Sequence, residues 1–342
     1  MSLRPYLDRL LERRHLSVDE ARAAMEIVLQ GGASDPQIAA FLVALRMKGE
    51  CVDELVGFAQ AMRRMAAVID VPVDGMPLLD TCGTGGDSAH TFNISTIAAF
   101  VVAGAGVRVA KHGNRSISSR CGSADLLEAL GVRVAVAPEC AAGAIREIGL
   151  GFLFAPAMHS AMKHAHTVRT DLKIRTVFNL LGPLTNPAGA NAQLAGAPSP
   201  DAAELMAEAL AALGLARGFV VHGSDGLDEI TTTGSSLVFE IREGRVERRT
   251  VHPEDFRVPL ASAASLRGGD IASNAAIARE ILAGCSGPRR DIVLVNAAAA
   301  LVAAGKAQNW AEGMLVAAQS IDTGAARGKL EALAVFTLGP TA

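Results

Sequence analysis

From Leu78 onward, short β-prone runs recur between glycines and helix-length stretches: LLD, VRVAKHG, VRVAV, GFLFAP and, further on, GFVVHG at 218–223. Strands spaced by helices need crossover connections, and the alternation predicts an α/β fold built on a mainly parallel central sheet. One exception is expected at an edge. The stretch SSLVFEIREGRVERRTVHPEDFRV, 235–258, alternates apolar and polar residues about Glu243-Gly244 and reads as a hairpin. Ala-rich helices follow to the end.

The N-terminal part has a different texture. Ser17 and Glu20 form a capping-box pattern, and Ala21, Ala24, Met25, Val28 and Leu29 keep helical spacing until Gly31-Gly32. Ser34 and Gln37 repeat the device before Ile38, Leu42 and Leu45, and a third apolar-periodic segment runs over 52–65. With 342 residues, half of them hydrophobic, the chain has room for two domains. We expect a small α-helical domain at 1–72 and a large α/β domain at 73–342. A helical, basic segment at about 159–182 interrupts the alternation and is expected to pack on the first domain.

Charge narrows the function classes. A net charge of −3, with no long run of one sign, recommends neither a nucleic-acid groove nor an anionic membrane surface, and points to small-molecule chemistry. Five cysteines without a CxxC pair fit reduced thiols in a cytoplasmic protein. No signal-peptide pattern is present and no apolar stretch is long enough for a bilayer.

The stretch DTCGTGGDSAHTFNIST, 80–96, carries the most chemistry. It is neither a P-loop, since Asp87 stands where Lys is needed, nor a dinucleotide fingerprint, since Ser88 replaces the third Gly. A lone GxGG is most simply a strand-to-helix turn. Thr91, Asn93, Ser95 and Thr96, crowded behind Gly83, Gly86 and Asp87, favour a polyanion held by backbone N–H groups and a helix start. The next run ends in a second polar cluster, KHGNRSISSRCGS, with Lys111, Arg115, Ser116, Ser118, Ser119 and Ser123, which is otherwise a solvated loop ending in a helix cap. DGLDEIT follows GFVVHG. Adjacent Asp228 and Glu229 are either merely solvated or share a hard cation such as magnesium carrying phosphate. The histidines His159, His164 and His166 lack zinc-helix spacing; His112 and His159 are candidate substrate contacts.

Taken in order and at these separations, GTGGD, KHGNRSxSS, GSADLLEALG, RTVFNLLGPLTNP and DGLDEIT closely resemble the anthranilate phosphoribosyltransferases of tryptophan biosynthesis, over most of the chain. The resemblance implies a homodimer of the nucleoside-phosphorylase-like, class III type, acting on phosphoribosyl pyrophosphate and anthranilate. By position, Gly83, Gly86, Asp87, Thr91, Asn93, Ser95, Thr96, Lys111, His112, Gly113, Asn114, Arg115, Ser116, Ser118, Ser119 and Ser123 correspond to the donor site. Gly83, Asn114 and Arg169 correspond to the anthranilate site, with His112, His159 and Pro183 as neighbours. Ser95, Asp228 and Glu229 correspond to the ligands of magnesium, two ions per subunit with donor bound. No covalent nucleophile is implied, and Asp87 is expected to brace its loop or order metal-bound water. Arg120 and Cys121 depart from the Lys and Ser of many relatives. Two other readings stay open at this point: a pyrimidine nucleoside phosphorylase using free phosphate, and a non-catalytic nucleic-acid-binding relative of the same fold.

Overall fold

The computed structural model describes residues 2–71, 75–85, 90–116 and 120–339. Four helices open the chain: α1 (Arg4–Leu11), α2 (Val18–Leu29), α3 (Asp35–Lys48) and α4 (Val52–Met65). The capping box of α2 is present in both directions, Ser17 N donating to Glu20 Oε2 at 2.9 Å and Glu20 N to Ser17 Oγ at 3.3 Å. At α4 the equivalent acid is buried. Glu54 accepts from Cys51 N, Leu16 N and Lys48 Nζ, each at 3.0 Å, so one carboxylate caps a helix, anchors the preceding loop and neutralises a buried ammonium. Gly57 lets α2 and α4 touch: a Cβ there would stand 2.7 Å from Ala21 Cβ.

Among the described residues seven strands follow: β1 (Leu78–Asp80), β2 (Arg108–Gly113), β3 (Leu150–Phe154), β4 (Ala192–Gly196), β5 (Arg217–Gly223), β6 (Ser236–Arg242) and β7 (Arg245–Val251). Their order is β3-β2-β1-β4-β5-β6-β7, parallel through β5 and antiparallel beyond it. The edge hairpin turns at Glu243 and Gly244, both at positive φ, as a tight two-residue turn requires. The crossovers carry α5 (Ile94–Gly104), α6 (Ser123–Ala129), α7 (Pro138–Ile148), α8 (Ala155–Met158), α9 (Lys163–Leu172), α10 (Phe178–Leu181) and α11 (Pro200–Ala212). Four more close the chain: α12 (Ile271–Leu282), α13 (Pro288–Ala303), α14 (Trp310–Asp322) and α15 (Ala325–Leu338).

Side-chain alternation assigns each strand residue to one of two faces. Leu79, Val109, Phe152, Leu194, Phe219 and Val238 join α5, α13 and α14 in one core. On the opposite face, Ala195, Val220 and Phe239 share a core with α11 and with α2, α3 and α4, which also takes in Ala165 and Val168 of α9 and Phe178 of α10. The 159–182 segment therefore packs against the N-terminal helices, broken into short helices rather than running as one.

Two strand readings need correction. VRVAV is not a strand. Val132 and Val134 are buried, but the Val132 amide donates to Leu127 O to finish α6, and the Arg133 amide donates to Thr337 Oγ1 of α15 at 3.0 Å, so neither is available to a ladder. AQLAG, by contrast, is β4. It has no β-branched or aromatic residue and gave no local signal, yet it lies at the centre of the sheet between β1 and β5.

These contacts give two opposite expectations for single methyl additions. Gly57→Ala forces α2 and α4 apart and is expected to destabilise by about 1–3 kcal/mol. Gly328→Ala, on an exposed turn of α15 with no neighbour within 4 Å of the new methyl, is expected to stabilise by about 0.5–1 kcal/mol. Urea unfolding of both variants checks the pair of signs.

Candidate active site

The strand order reverses at β1, whose neighbours β2 and β4 are reached by separate crossovers, and ligands of open α/β sheets bind beyond the carboxyl ends at such a point. Here the glycine loop leaves β1 across the end of β4, Thr84 N donating to Gly196 O at 3.0 Å. Gly196 has to be glycine, because a Cβ would overlap the Asp228 carbonyl oxygen. The loop after β5 therefore lies directly over β4. It is pinned twice: Asp225 accepts from Thr231 Oγ1 at 2.6 Å and Thr233 Oγ1 at 2.5 Å, and buried Asn296 of α13 takes both backbone groups of Ile230 at 2.9 Å. Asp228 and Glu229 are thereby turned onto the glycine loop and the first turn of α5. Asp228 Oδ2 accepts from Gly85 N at 2.9 Å, and Glu229 Oε1 from Ser95 N at 3.1 Å. Two carboxylates, with the Ser95 hydroxyl on the residue whose amide Glu229 engages, offer all-oxygen donors of the kind that suits magnesium.

At the end of β2 alternation separates two functions. Lys111 lies on the α5 side, its buried Nζ donating to Thr81 O at 3.2 Å and Thr81 Oγ1 at 3.1 Å, with Ser95 Oγ at 3.4 Å. His112 lies on the other side, with Nδ1 3.1 Å from Gly182 O, which fixes the proton on Nδ1 because a carbonyl accepts. Beneath both sits Asp80, fully buried, accepting from His112 N at 3.1 Å and Asn186 Nδ2 at 2.7 Å. Burial raises its pKa to about 6 against the pull of Asn186 and Lys111.

The imidazoles of His112 and His159 lie against one another with centroids 5.2 Å apart and planes tilted by 57°, and Nε2 of each is buried without a hydrogen-bond partner. Burial, with the neighbouring ring second, lowers His112 to about 3, and burial lowers His159 to about 4. Both rings are neutral and present a lone pair. Pro183 joins the same wall, its carbonyl held by Gln193 Nε2 at 2.7 Å. Arg169 of α9 lies over the Phe178 ring at 5.0 Å, with no carboxylate partner among the described residues, and burial lowers its pKa.

The other candidates are distributed around this centre. Asn93 Nδ2 donates to Cys121 O at 3.0 Å, and its Oδ1 accepts from Asn274 Nδ2 at 3.3 Å. The Cys121 departure thus leaves this link intact, since any residue supplies the carbonyl. Thr91 bridges Arg267, Thr96 is buried in α5, and Ser123 Oγ bonds both backbone groups of Asn114, at 3.2 and 3.1 Å. Gly113 allows Ser123 and Phe152 to close over β2. Ser116 N is held by Asp125 Oδ2 at 3.1 Å. Arg115 is turned to Glu128 at 2.7 Å and Asp125 at 3.1 Å, and lies over Phe154. Gly86, Asp87, Ser118 and Ser119 lie outside the described residues. Sequence reasoning missed Asp80, Asn186, Asn274 and Asn296, and also Arg175, which donates to Gly85 O at 2.9 Å. Only Asp80, Asn186 and Arg175 fell inside motifs already singled out.

The a/b domain of the glycosyl transferase family matches residues 75–327, and the helical bundle domain of that family matches residues 4–66. The anthranilate phosphoribosyltransferase of Solibacter usitatus is 70% identical, covering 98% of this chain and 99% of its own. The crystal structure of the Thermus thermophilus anthranilate phosphoribosyltransferase superposes with a TM-score of 0.92 at 45% identity, over 97% of this chain and 99% of that one. The Saccharomyces cerevisiae enzyme in complex with PRPP and Mg superposes with a TM-score of 0.90 at 30% identity, over 99% and 98%. With both domains matched in order and this identity along nearly its whole length, the chain belongs to the anthranilate phosphoribosyltransferase family.

Proposed function

We propose that the chain transfers the phosphoribosyl group of 5-phosphoribosyl 1-pyrophosphate to the amine of anthranilate, giving N-(5-phosphoribosyl)anthranilate and pyrophosphate, the second step of tryptophan biosynthesis from chorismate. The observation that carries it is the anion cradle at the carboxyl end of the sheet, faced by two acids, in a chain that also holds an arginine over an aromatic ring with no carboxylate partner among the described residues. Relatives bear on both halves: a yeast homologue binds PRPP and Mg, and another of its structures holds 4-fluoroanthranilate.

As C1 of the ribose loses pyrophosphate, positive charge grows on the ring and negative charge on the leaving group. The amides of Gly83 to Gly85, the start of α5 and Lys111 face that negative charge. Magnesium held by Ser95, Asp228 and Glu229 supplies further neutralisation of pyrophosphate when bound. Arg169 takes the anthranilate carboxylate, Asn114 helps align it, and Phe178 keeps the guanidinium flat. The aromatic amine is neutral, so it needs orientation rather than activation. The neutral rings of His112 and His159 add no positive charge to compete for the acceptor. No covalent enzyme intermediate is required.

We further infer two magnesium ions per subunit with donor bound, a homodimer, a cytoplasmic location, and a division into domains at 1–72 and 73–342. Exposed Leu11 of α1 and Met47 of α3 offer apolar surface for the dimer. No helix among the described residues is long and apolar enough to cross a membrane.

Anthranilate fluorescence is expected to decay only with both donor and magnesium present. Phosphate-dependent cleavage of uridine or thymidine, or a gel shift without transfer, would return the two competing readings. Arg169→Ala is expected to lower kcat/KM for anthranilate by about 30- to 150-fold, the loss of a charge-assisted pair of about 2–3 kcal/mol, with KM rising, and Arg169→Lys to restore only part of it.

The imidazoles also set an acid limit. The unfolded chain protonates His near pH 6.5, whereas the folded rings do so near 3 and 4, so their stabilisation is full above 6.5 and is lost as pH falls toward those values. Each ring contributes about 1.4 kcal/mol per pH unit in that window. Asp80, with a raised pKa, works oppositely between about 6 and 4 and offsets one ring. Stability measured in urea at pH 7, 6 and 5 is expected to fall on acidification, and His112→Gln to flatten the fall.

A further inference from the structure

The two acids assigned to magnesium already have partners. Asp228 Oδ2 accepts from Gly85 N at 2.9 Å and lies 3.4 Å from Thr84 Oγ1, and Glu229 Oε1 accepts from Ser95 N at 3.1 Å. Those N–H groups and that hydroxyl are donors a pyrophosphate needs at the glycine loop and the first turn of α5. A backbone amide has one hydrogen, so a carboxylate oxygen and a phosphate oxygen compete for it. The carboxylates therefore stand in the anion positions of the donor.

Thr84 and Gly85 have little freedom to avoid the conflict by moving. The carbonyl of Gly85 is held by Arg175 at 2.9 Å, and Thr84 N by Gly196 O at 3.0 Å. On the acidic side, Asn296 and Asp225 fix the backbone that carries Asp228 and Glu229. The side chains are the parts left to swing. A metal-free polyphosphate has to displace two carboxylates and then lie beside them, anion against anions. A donor arriving with its cation gives the same carboxylates a better partner and frees the amides for phosphate oxygens.

Resting on the transferase reading, we propose that Asp228 and Glu229 are specificity-determining residues as well as metal ligands. They occupy the anion cradle until a magnesium-bound donor draws them off, and so make the site reject metal-free pyrophosphate and phosphate.

The test is calorimetric titration of metal-free inorganic pyrophosphate, in chelator, into the full-length wild-type protein, Asp228→Ala, Glu229→Ala, and the double variant Asp228→Asn/Glu229→Gln. All three variants are expected to bind at least about tenfold tighter than wild type, a gain of about 1.4 kcal/mol, the double variant because a neutral amide oxygen holds the two N–H groups more weakly than a carboxylate does. The gain is expected to persist in about 0.5 M salt, where the screening length is about 4 Å, because contact occupation is not screened as remote repulsion is. In parallel, the Gly85 and Ser95 amide resonances of wild type are expected to shift when magnesium and pyrophosphate are added together, and not with pyrophosphate alone. Wild type binding metal-free pyrophosphate as tightly as the variants overturns the proposal, and so does a gain that disappears in high salt. Thermal unfolding identifies any alanine variant that fails to fold, in which case the double variant carries the test. Wild-type transfer activity separates the levels: activity with no gain in the variants sinks this inference alone, and no activity removes the transferase reading and this inference with it.

Discussion

The Asp80 carboxylate at the end of β1 is the point on which the site is built. It accepts from the backbone of β2 and from Asn186 of the GPLTNP loop, with Lys111 close enough to act on its pKa. A fully buried acid with so few donors is expensive to charge, and burial raises its pKa to about 6. What it achieves is registration. His112 is oriented by two bonds, its backbone to Asp80 and its Nδ1 to Gly182 O. Lys111, one residue earlier, faces the α5 side through the alternation of the strand. A single polar group thus registers the side chains on both faces of β2, and Asn186 extends the alignment by also donating to Ala110 O at 2.8 Å.

The electrostatic pattern follows from which charges are buried and which are paired. In the proposed reaction the cations and amides on the α5 side would face a polyanion, whereas the other side of β2 holds neutral imidazoles, and one arginine lies against an aromatic ring. Had the imidazoles been protonated, their charge would have competed with Arg169 for the acceptor carboxylate and opposed the cation forming at C1. Depressing both pKa values by burial removes that competition at no cost in hydrogen-bonding capacity, since each ring retains a lone pair.

Much of this was legible in the sequence, for reasons that differ by element. The helices announced themselves through caps and apolar period, and the edge hairpin through alternation about Glu243-Gly244, because those signals are local. VRVAV and AQLAG failed in opposite directions. The first has the composition of a strand, but its amides are taken by α6 and α15; the second lacks that composition, but its small residues fit between two neighbours in the middle of the sheet. The glycine loop and the acidic pair stood out because their residue types imply chemistry, whereas Arg169 entered only through the family resemblance. Asn296 was not, since an amide amid PRRDIVLVNAAAALVA gives no sign of its partner, and Ile230 is 66 residues away. Arg175 was quoted within a motif and passed over for the same reason: its value lies in Gly85, 90 residues earlier.

Long-range pins of this kind are what the proposed exchange of partners at the two acids needs. If the backbone around Asp228 and Glu229 were loose, the carboxylates would settle into whichever contact was strongest and drag the glycine loop with them. Asn296, Asp225 and the overlap that excludes any residue but glycine at 196 hold that backbone, while Arg175 holds the facing peptide from the other side. In the proposed exchange between amide and metal, only side-chain torsions would have to change, and these are fast and reversible compared with loop rearrangement. Rigidity of the frame is the condition for such mobility at two carboxylates, and the frame is supplied by residues outside the acidic pair itself.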